Sequence, residues 1–260
     1  MTKTQAKQSE WHEQWSLVRD DELSLFTDWI QPTTLEDLRG KSVLEGGCGG
    51  GQHTSFMAPY ARSVTAVDLN TVDIARERNK DNHNVEFVEA DIAAMKLGRS
   101  FDVVLSVGVI HHTDDPDATV ANLLRHAAPG GRAVFWVYSK EGNALVEHGV
   151  EPLRKLFLRR LSRPALLALS KAVTASLYPV VHTVYRLPLG FLPYHSYFEN
   201  FRRLAFERNV LNVFDKLNAP QVQFISRERA EGWRSLAAFA SYVVTPYRGV
   251  SWRVTGILKN

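Results

Sequence analysis

Between Val43 and Tyr138 short apolar runs alternate with stretches whose apolar residues return every three or four positions, the pattern of strands separated by helices. Ser42 to Glu45 reads as a first strand, followed by glycines and a short helix through Met57. Ser63 to Val67 is a second strand, after which Asn70 or Thr71 can cap a helix running to about Asp81. Val85 to Glu89 and Phe101 to Val107 are the third and fourth. Pro116 sits early in a helix with Val120, Leu123 and Leu124 on one face; it stops at Pro129-Gly130-Gly131, and Arg132 to Tyr138 is a fifth strand. Strands spaced by helices of about 10–15 residues predict a parallel, doubly wound α/β sheet.

The pattern breaks after Tyr138. From Glu141 to Val210 helical spacing dominates, interrupted by prolines at 152, 164, 179, 188 and 193. The earlier order returns at Phe224. Ser226 can cap a helix over Arg227 to Ala238, and Phe239 to Val244 and Ser251 to Ile257 read as strands turned at Pro246 to Gly249. The expected organisation is an N-terminal helical lid (1–40), an α/β core (41–140), a helical insertion after strand five (141–222), and a C-terminal segment (223–260). That last segment adds a hairpin-like pair to five parallel strands, giving a seven-stranded Rossmann-like sheet.

Composition adds limits. An apolar fraction of 45% with 23% charged residues suits a folded globular chain rather than a disordered one. The polar stretch Met1 to Trp15 lacks the apolar core of a signal peptide, and the single Cys48 provides neither a disulfide nor a cysteine-rich zinc site, so a cytoplasmic protein is expected. Ala165 to Tyr185 is apolar, but Lys171, Pro179 and His182 interrupt it, and no spanning helix is expected there. Charge is uneven: residues 151–210 carry ten Lys and Arg against three Glu, a net +7 within a chain of +3. That basic insertion could face an acidic substrate, a lipid surface or only solvent.

The candidate chemistry begins where the first strand ends. Gly47, Gly49 and Gly51 alternate after Glu45, and a glycine loop between a strand and a helix N-terminus is a nucleotide-binding arrangement. The spacing does not fit G-x-G-x-x-G, because Gln52 or Thr54 falls where the last glycine belongs, which disfavours a dinucleotide. Asp68, after the second strand, can accept both hydroxyls of a ribose. Asp91 and Ile92, after the third, can accept from an adenine amino group and cover its ring, although Asp91 can equally cap the next turn.

Taken in order, Val43-Leu-Glu-Gly-Gly-Cys-Gly-Gly-Gly51, Val67-Asp-Leu-Asn70, Glu89-Ala-Asp-Ile92, Phe101-Asp-Val-Val-Leu-Ser-Val-Gly-Val-Ile-His-His112 and Pro129-Gly-Gly-Arg132 resemble the class I SAM-dependent methyltransferases. The likeness covers about residues 41–139 and is greatest to the ubiquinone/menaquinone-type (type 11) branch with small-molecule substrates. It implies S-adenosyl-L-methionine as cofactor, with Glu45, Gly47, Gly49 and Gly51 near its methionine part and Asp68 on its ribose. Asp91 and Ile92 would lie at its adenine, and Leu69 and Val107 complete the implied cofactor set. Glu45 departs mildly from a family that more often has Asp there.

Methyl transfer from a sulfonium is an in-line displacement, so the protein must align the acceptor and, where required, remove its proton. His111 and His112, at the mouth of the fourth strand, are candidate bases, although such a pair in this family often packs without catalysing. Without flanking ligands at helical spacing, His111 to Asp115 does not make a metal site. Trp11 and Trp15, one helical turn apart, can seal the cofactor pocket or serve as core; Arg19 is a weaker candidate for the cofactor's carboxylate. Within the insertion Tyr194 and His195 are candidates for work on the substrate, and Asn200, Asn212, Asp215, Asn218 and Gln223 add polar groups. The leading expectation is a methyltransferase for a small molecule. A tRNA-modifying enzyme, a lipid-acting enzyme held peripherally at a membrane, and a non-catalytic SAM-binding protein are the alternatives. Nothing in the sequence fixes the oligomeric state.

Overall fold

The computed structural model describes residues 11–16, 22–219 and 221–260. Residues 11–16 are helical, and α1 (Leu23–Trp29) follows. Then β1 (Ser42–Gly46), α2 (Gln52–Met57), β2 (Ser63–Asp68), α3 (Val72–Arg78), β3 (Val85–Glu89), β4 (Phe101–Val107), α4 (Pro116–Arg125) and β5 (Ala127–Tyr138) succeed one another. The insertion supplies α5 (Glu151–Leu156), α6 (Arg163–Thr183), α7 (His195–Phe201) and α8 (Phe206–Asn218). The chain closes with α9 (Arg227–Gly232), β6 (Phe239–Tyr247) and β7 (Ser251–Leu258).

The strands form one seven-stranded sheet in the order 3-2-1-4-5-7-6. The first five are parallel, while β7 runs antiparallel to both β5 and β6. Both faces are covered, so alternate residues of a strand enter different cores. Leu44, Val104 and Phe135 pack on one side with Val120, Leu123 and Trp233, whereas Val43, Val103, Leu105 and Val134 pack on the other with Phe26, Ile30 and Met57. The direction of winding reverses between β1 and β4, which opens a crevice beyond the carboxyl ends of these strands.

Several boundaries differ from the sequence expectation for local reasons. The α3 helix ends at Arg78 rather than near Asp81, and Thr71 does not cap it with its side chain. Its hydroxyl instead donates to the Gly49 carbonyl, fastening the glycine loop. Strand β5 begins at Ala127, because Ala127 already pairs with Phe101 and the register shifts before Val103; the Pro-Gly-Gly segment forms an irregular strand start rather than a turn. Strand β6 continues through Pro246 to Tyr247, a position allowed by its place at the sheet edge. Ser226 accepts from Arg229 N as a cap should, but the α-helix yields to a 3-10 turn at Trp233.

The insertion leaves and rejoins the core at one point. Ile225 N donates to Tyr138 O and Lys140 N to Ile225 O, so the chain returns beside the strand it left. The longest helix, α6, packs against α8 through a stripe holding Leu166, Ser170, Thr174 and Val181. By length and composition alone, residues 163–186 would be sufficient to cross a bilayer, and little of that stretch is buried. Exposed Leu153, Leu156, Phe157, Leu187 and Phe191 add to the apolar surface of the insertion.

Candidate active site

A cavity of about 520 Å³ lies over the crevice and is walled by three parts of the chain. The core loops contribute Gly47, Gly49, Asp68, Asp91 and His112; the insertion contributes Arg154, Tyr197, Asn200, Asp215 and Lys216; Trp11, Gln14 and Trp15 close it from the N-terminal side.

The glycine loop is folded by contacts that leave no room for side chains. A Cβ on Gly47 would lie 2.4 Å from the Val109 side chain. Gly51 has φ +75° and a Cβ there would meet the Ala75 backbone at 2.8 Å, so this glycine lets α2 approach α3. Gly51 therefore shapes the loop without lining the cavity, in contrast to Gly47 and Gly49. Glu45 departs from its expected place in the same way. It is buried beneath the loop and absent from the cavity wall; its Oε2 accepts from Thr54, and Oε1 stands 3.8 Å from His53 Nδ1. Burial pushes the Glu45 carboxyl up to about 8, against the Thr54 hydrogen bond that favours ionisation, while burial brings His53 down to about 3. Burial thus favours the neutral form of both side chains. His53 occupies the wall where Glu45 was expected.

The remaining core positions stand on the cavity. Asp68 Oδ2 accepts from Gly49 N at 2.9 Å and Oδ1 from Asn70 N, which aims the carboxylate from the end of β2 across the loop. Asp91 Oδ1 accepts from Ala93 N at 2.8 Å, as a turn-capping residue does, yet the residue also lines the cavity beside Ile92. Leu69 and Val107 complete this wall.

The two histidines separate. His111 is fully buried behind the wall, where Nδ1 accepts from Tyr138 N, and burial holds it well below the usual histidine range. His112 faces the cavity. Its Nδ1 lies 2.6 Å from Gln221 O; a carbonyl only accepts, so Nδ1 carries the proton and Nε2 keeps its lone pair. Burial lowers the His112 pKa, opposed by the nearby Asp215 charge and by the Gln221 bond. Trp11 packs on its ring at a centroid distance of 4.8 Å.

Tyr194 and His195 do not reach the cavity wall. Tyr194 precedes α7 with φ +61°, and His195 Nε2 is engaged with Leu187 O at 3.1 Å. Tyr197 and Asn200, three residues apart and so on one helical face, take the cavity-facing positions. Asn212 and Asp215 also line the wall, whereas Asn218 bonds Gln14 and Gln223 holds the backbone of Thr113 and Asp114. Arg19 lies outside the described residues, as do residues 1–10, 17, 18, 20 and 21 of the expected lid.

Sequence reasoning missed Tyr138, Arg208 and Lys216 on this wall, and placed Arg154 only within a basic run. Tyr138 ends β5 and donates its hydroxyl to Asp215 Oδ2 at 2.8 Å, tying the core to α8. Arg154, from the basic run, is 2% exposed and pairs with Glu151 while reaching Lys216 O. Of the three environments open to the basic run (an acidic substrate, a lipid surface or solvent), solvent does not apply to this residue.

The seven-stranded sheet, with β7 inserted antiparallel beside β5 and a glycine loop after β1, has the Rossmann-like fold of solved methyltransferases. Residues 44–135 match the family described as a methyltransferase domain. The ubiquinone biosynthesis O-methyltransferase of Pseudomonas fluorescens (strain Pf0-1) is 30% identical over 142 residues, which are 52% of this chain and 60% of that protein. The chain thus spans three-fifths of the length of this curated relative. A magnesium protoporphyrin IX methyltransferase from Synechocystis PCC 6803, solved with bound S-adenosyl-L-homocysteine, superposes with a TM-score of 0.52 at 13% identity, covering 100% of this chain and 89% of its own. An N-methyltransferase from Bradyrhizobium japonicum WM9, also with S-adenosyl-L-homocysteine, gives 0.50 at 13% identity, with 96% and 100% covered. At such identities the two structures speak for the fold alone.

Proposed function

We propose that this chain is a SAM-dependent methyltransferase that acts on a small-molecule acceptor. The observation that carries the reading is the continuous cavity joining the glycine loop, Asp68 and Asp91 to His112 and then to the insertion. The chain's residues fit the cofactor: Gly47 and Gly49 line the cavity with bare backbone at positions where a Cβ would collide with Val109 and Trp15, Asp68 offers acceptors suited to a ribose, and Asp91 with Ile92 suits an adenine. When bound, SAM supplies a methyl group made electrophilic by its sulfonium. The protein's own work is alignment and proton removal. His112 Nε2 is placed to take the proton of an acceptor O–H or N–H, and the Asp215 charge stabilises the resulting imidazolium. Trp11 and Trp15 exclude water from the same space.

Titration calorimetry with S-adenosyl-L-homocysteine tests this reading. Wild type binds, and Asp68→Ala loses about tenfold to a hundredfold in affinity, the usual range for removing a charged hydrogen-bonding partner. Unchanged affinity in Asp68→Ala, or no binding by wild type, removes the assignment.

The basic insertion is the one sequence feature that supports a tRNA substrate. Burial of Arg154 inside the cavity takes a leading member of that run away from any RNA-facing surface. A second reading, a methyltransferase working at a lipid surface, is favoured by exposed Leu153, Leu156 and Phe157 beside exposed Lys155 and Arg160.

A further inference from the structure

The charged residues of the cavity come from both the core and the insertion. The core contributes Asp68, Asp91, Asp114 and Asp115 together with Arg248, which is ion-paired with Asp28, whereas the insertion contributes Arg154, Arg208 and Lys216 with Asp215. Within the insertion the charges are treated differently. Arg154 has Glu151 as its ion-pair partner. Arg208 Nη1 donates to Asn212 Oδ1 at 2.8 Å. Asp215 accepts from the Tyr138 hydroxyl and from Gln14 Nε2.

Lys216 has a different environment. Its ammonium donates to the Tyr197 hydroxyl at 3.1 Å and to the Asn212 carbonyl at 3.3 Å, and lies 4.9 Å from the Tyr197 ring centre and 5.9 Å from that of Tyr138. Among the described residues it makes no ion pair, although Asp215 precedes it in the chain. An ammonium drawn out of bulk water against aromatic walls gains from the ring faces, but a desolvated charge is compensated most strongly by an opposite charge. Arg208 and Lys216 stand two helical turns apart on the cavity-facing side of α8, with Asp215 on the same side held by Tyr138 and Gln14.

We propose that the acceptor carries an anionic group, a carboxylate or a phosphate, and that Lys216, supported by Arg208, receives it within the Tyr138–Tyr197 frame. The inference rests on the methyltransferase reading and narrows its substrate class. An acid seated there lies in the same cavity as His112, so one group of the acceptor is anchored while another is presented for methylation. The cofactor's own carboxylate is the competing anion for this cation, and the experiment has to separate the two.

The probes are matched ligand pairs offered to the complex with saturating S-adenosyl-L-homocysteine: aryl and alkyl carboxylates against their primary amides, and phosphate monoesters against the parent alcohols. Binding is read by calorimetry for wild type and Lys216→Met. The expected result is a preference of about tenfold or more for the charged member of the carboxylate or phosphate pairs, whichever source is correct. Lys216→Met should erase this preference while its affinity for S-adenosyl-L-homocysteine stays within about twofold of wild type. Equal binding of charged and neutral members, binding of neither, or a preference that survives Lys216→Met overturns the proposal. Loss of S-adenosyl-L-homocysteine affinity in Lys216→Met also overturns it, by assigning the cation to the cofactor. Failure of wild type to bind S-adenosyl-L-homocysteine would instead strike the methyltransferase reading beneath it.

Discussion

His111 and His112 are consecutive, yet the short 3-10 turn after β4 sends one imidazole into the core and the other to the cavity. Only His112 combines a fixed tautomer with access to a substrate. Its pKa is lowered chiefly by burial, so the unprotonated base persists to more acidic pH than an ordinary histidine allows. The acid limb of the kcat/KM profile should accordingly have its midpoint below about 6.5, the usual histidine value. His112→Ala should remove that limb and reduce kcat by about 10²- to 10⁴-fold, the range of general-base catalysis, with affinity for S-adenosyl-L-homocysteine nearly unchanged. An unaltered profile in the variant would show that the acceptor needs no base from this residue. The positions of Asp68 and Asp91 on the cavity wall were legible because each follows a strand, and a strand end fixes where a side chain can stand. Glu45 was misplaced by the same logic, since position along a strand does not say which side of a loop a carboxylate turns to. Its neighbour Thr54, nine residues on, drew it beneath.

The core elements were readable because period-two and period-3.6 patterns are imposed by burial on both faces of the sheet. In the insertion the same rule misleads. Helix α8 has buried Val210, Val213 and Phe214 on one side and Arg208, Asn212, Asp215 and Lys216 on the other, a pattern that a solvated surface helix shares. Whether the polar side meets water or a substrate is decided by what packs opposite it, and that information lies in α7, β5 and the N-terminal helix. Helix α6 poses the opposite problem. It buries Ser170 and Thr174, whose hydroxyls return to the carbonyls four residues earlier, and leaves Val180 exposed. If the exposed apolar surface around Leu153, Leu156 and Phe157 meets lipid, the protein should co-sediment with anionic vesicles, and Leu156→Glu with Phe157→Glu should release it. Equal recovery with neutral and anionic vesicles would remove the charged-surface component, and no recovery with either would remove the lipid reading.

At the scale of the whole molecule, the six helical residues 11–16 touch both the core loops and the insertion. Trp15 lies against Gly49 and Gly50, His12 is 3.1 Å from Asp73 on α3, and Trp11 covers His112. On the far side Gln14 bonds Asp215 and Asn218, while Glu13 is 3.4 Å from Arg163 at the start of α6. A segment held from both sides cannot be rearranged by one ligand without altering the site of the other. Occupancy of the two sites is then thermodynamically linked, and the linkage must be mutual: whatever factor the cofactor adds to acceptor affinity, the acceptor returns to the cofactor. Hydrogen exchange makes this visible without an acceptor. S-adenosyl-L-homocysteine should slow exchange across residues 206–218, remote from the glycine loop, and Gln14→Ala should abolish that remote protection while leaving protection of the loop itself. Protection confined to the loop in wild type would mean that the two halves fill independently. The N-terminal helix would then be a cover and no more.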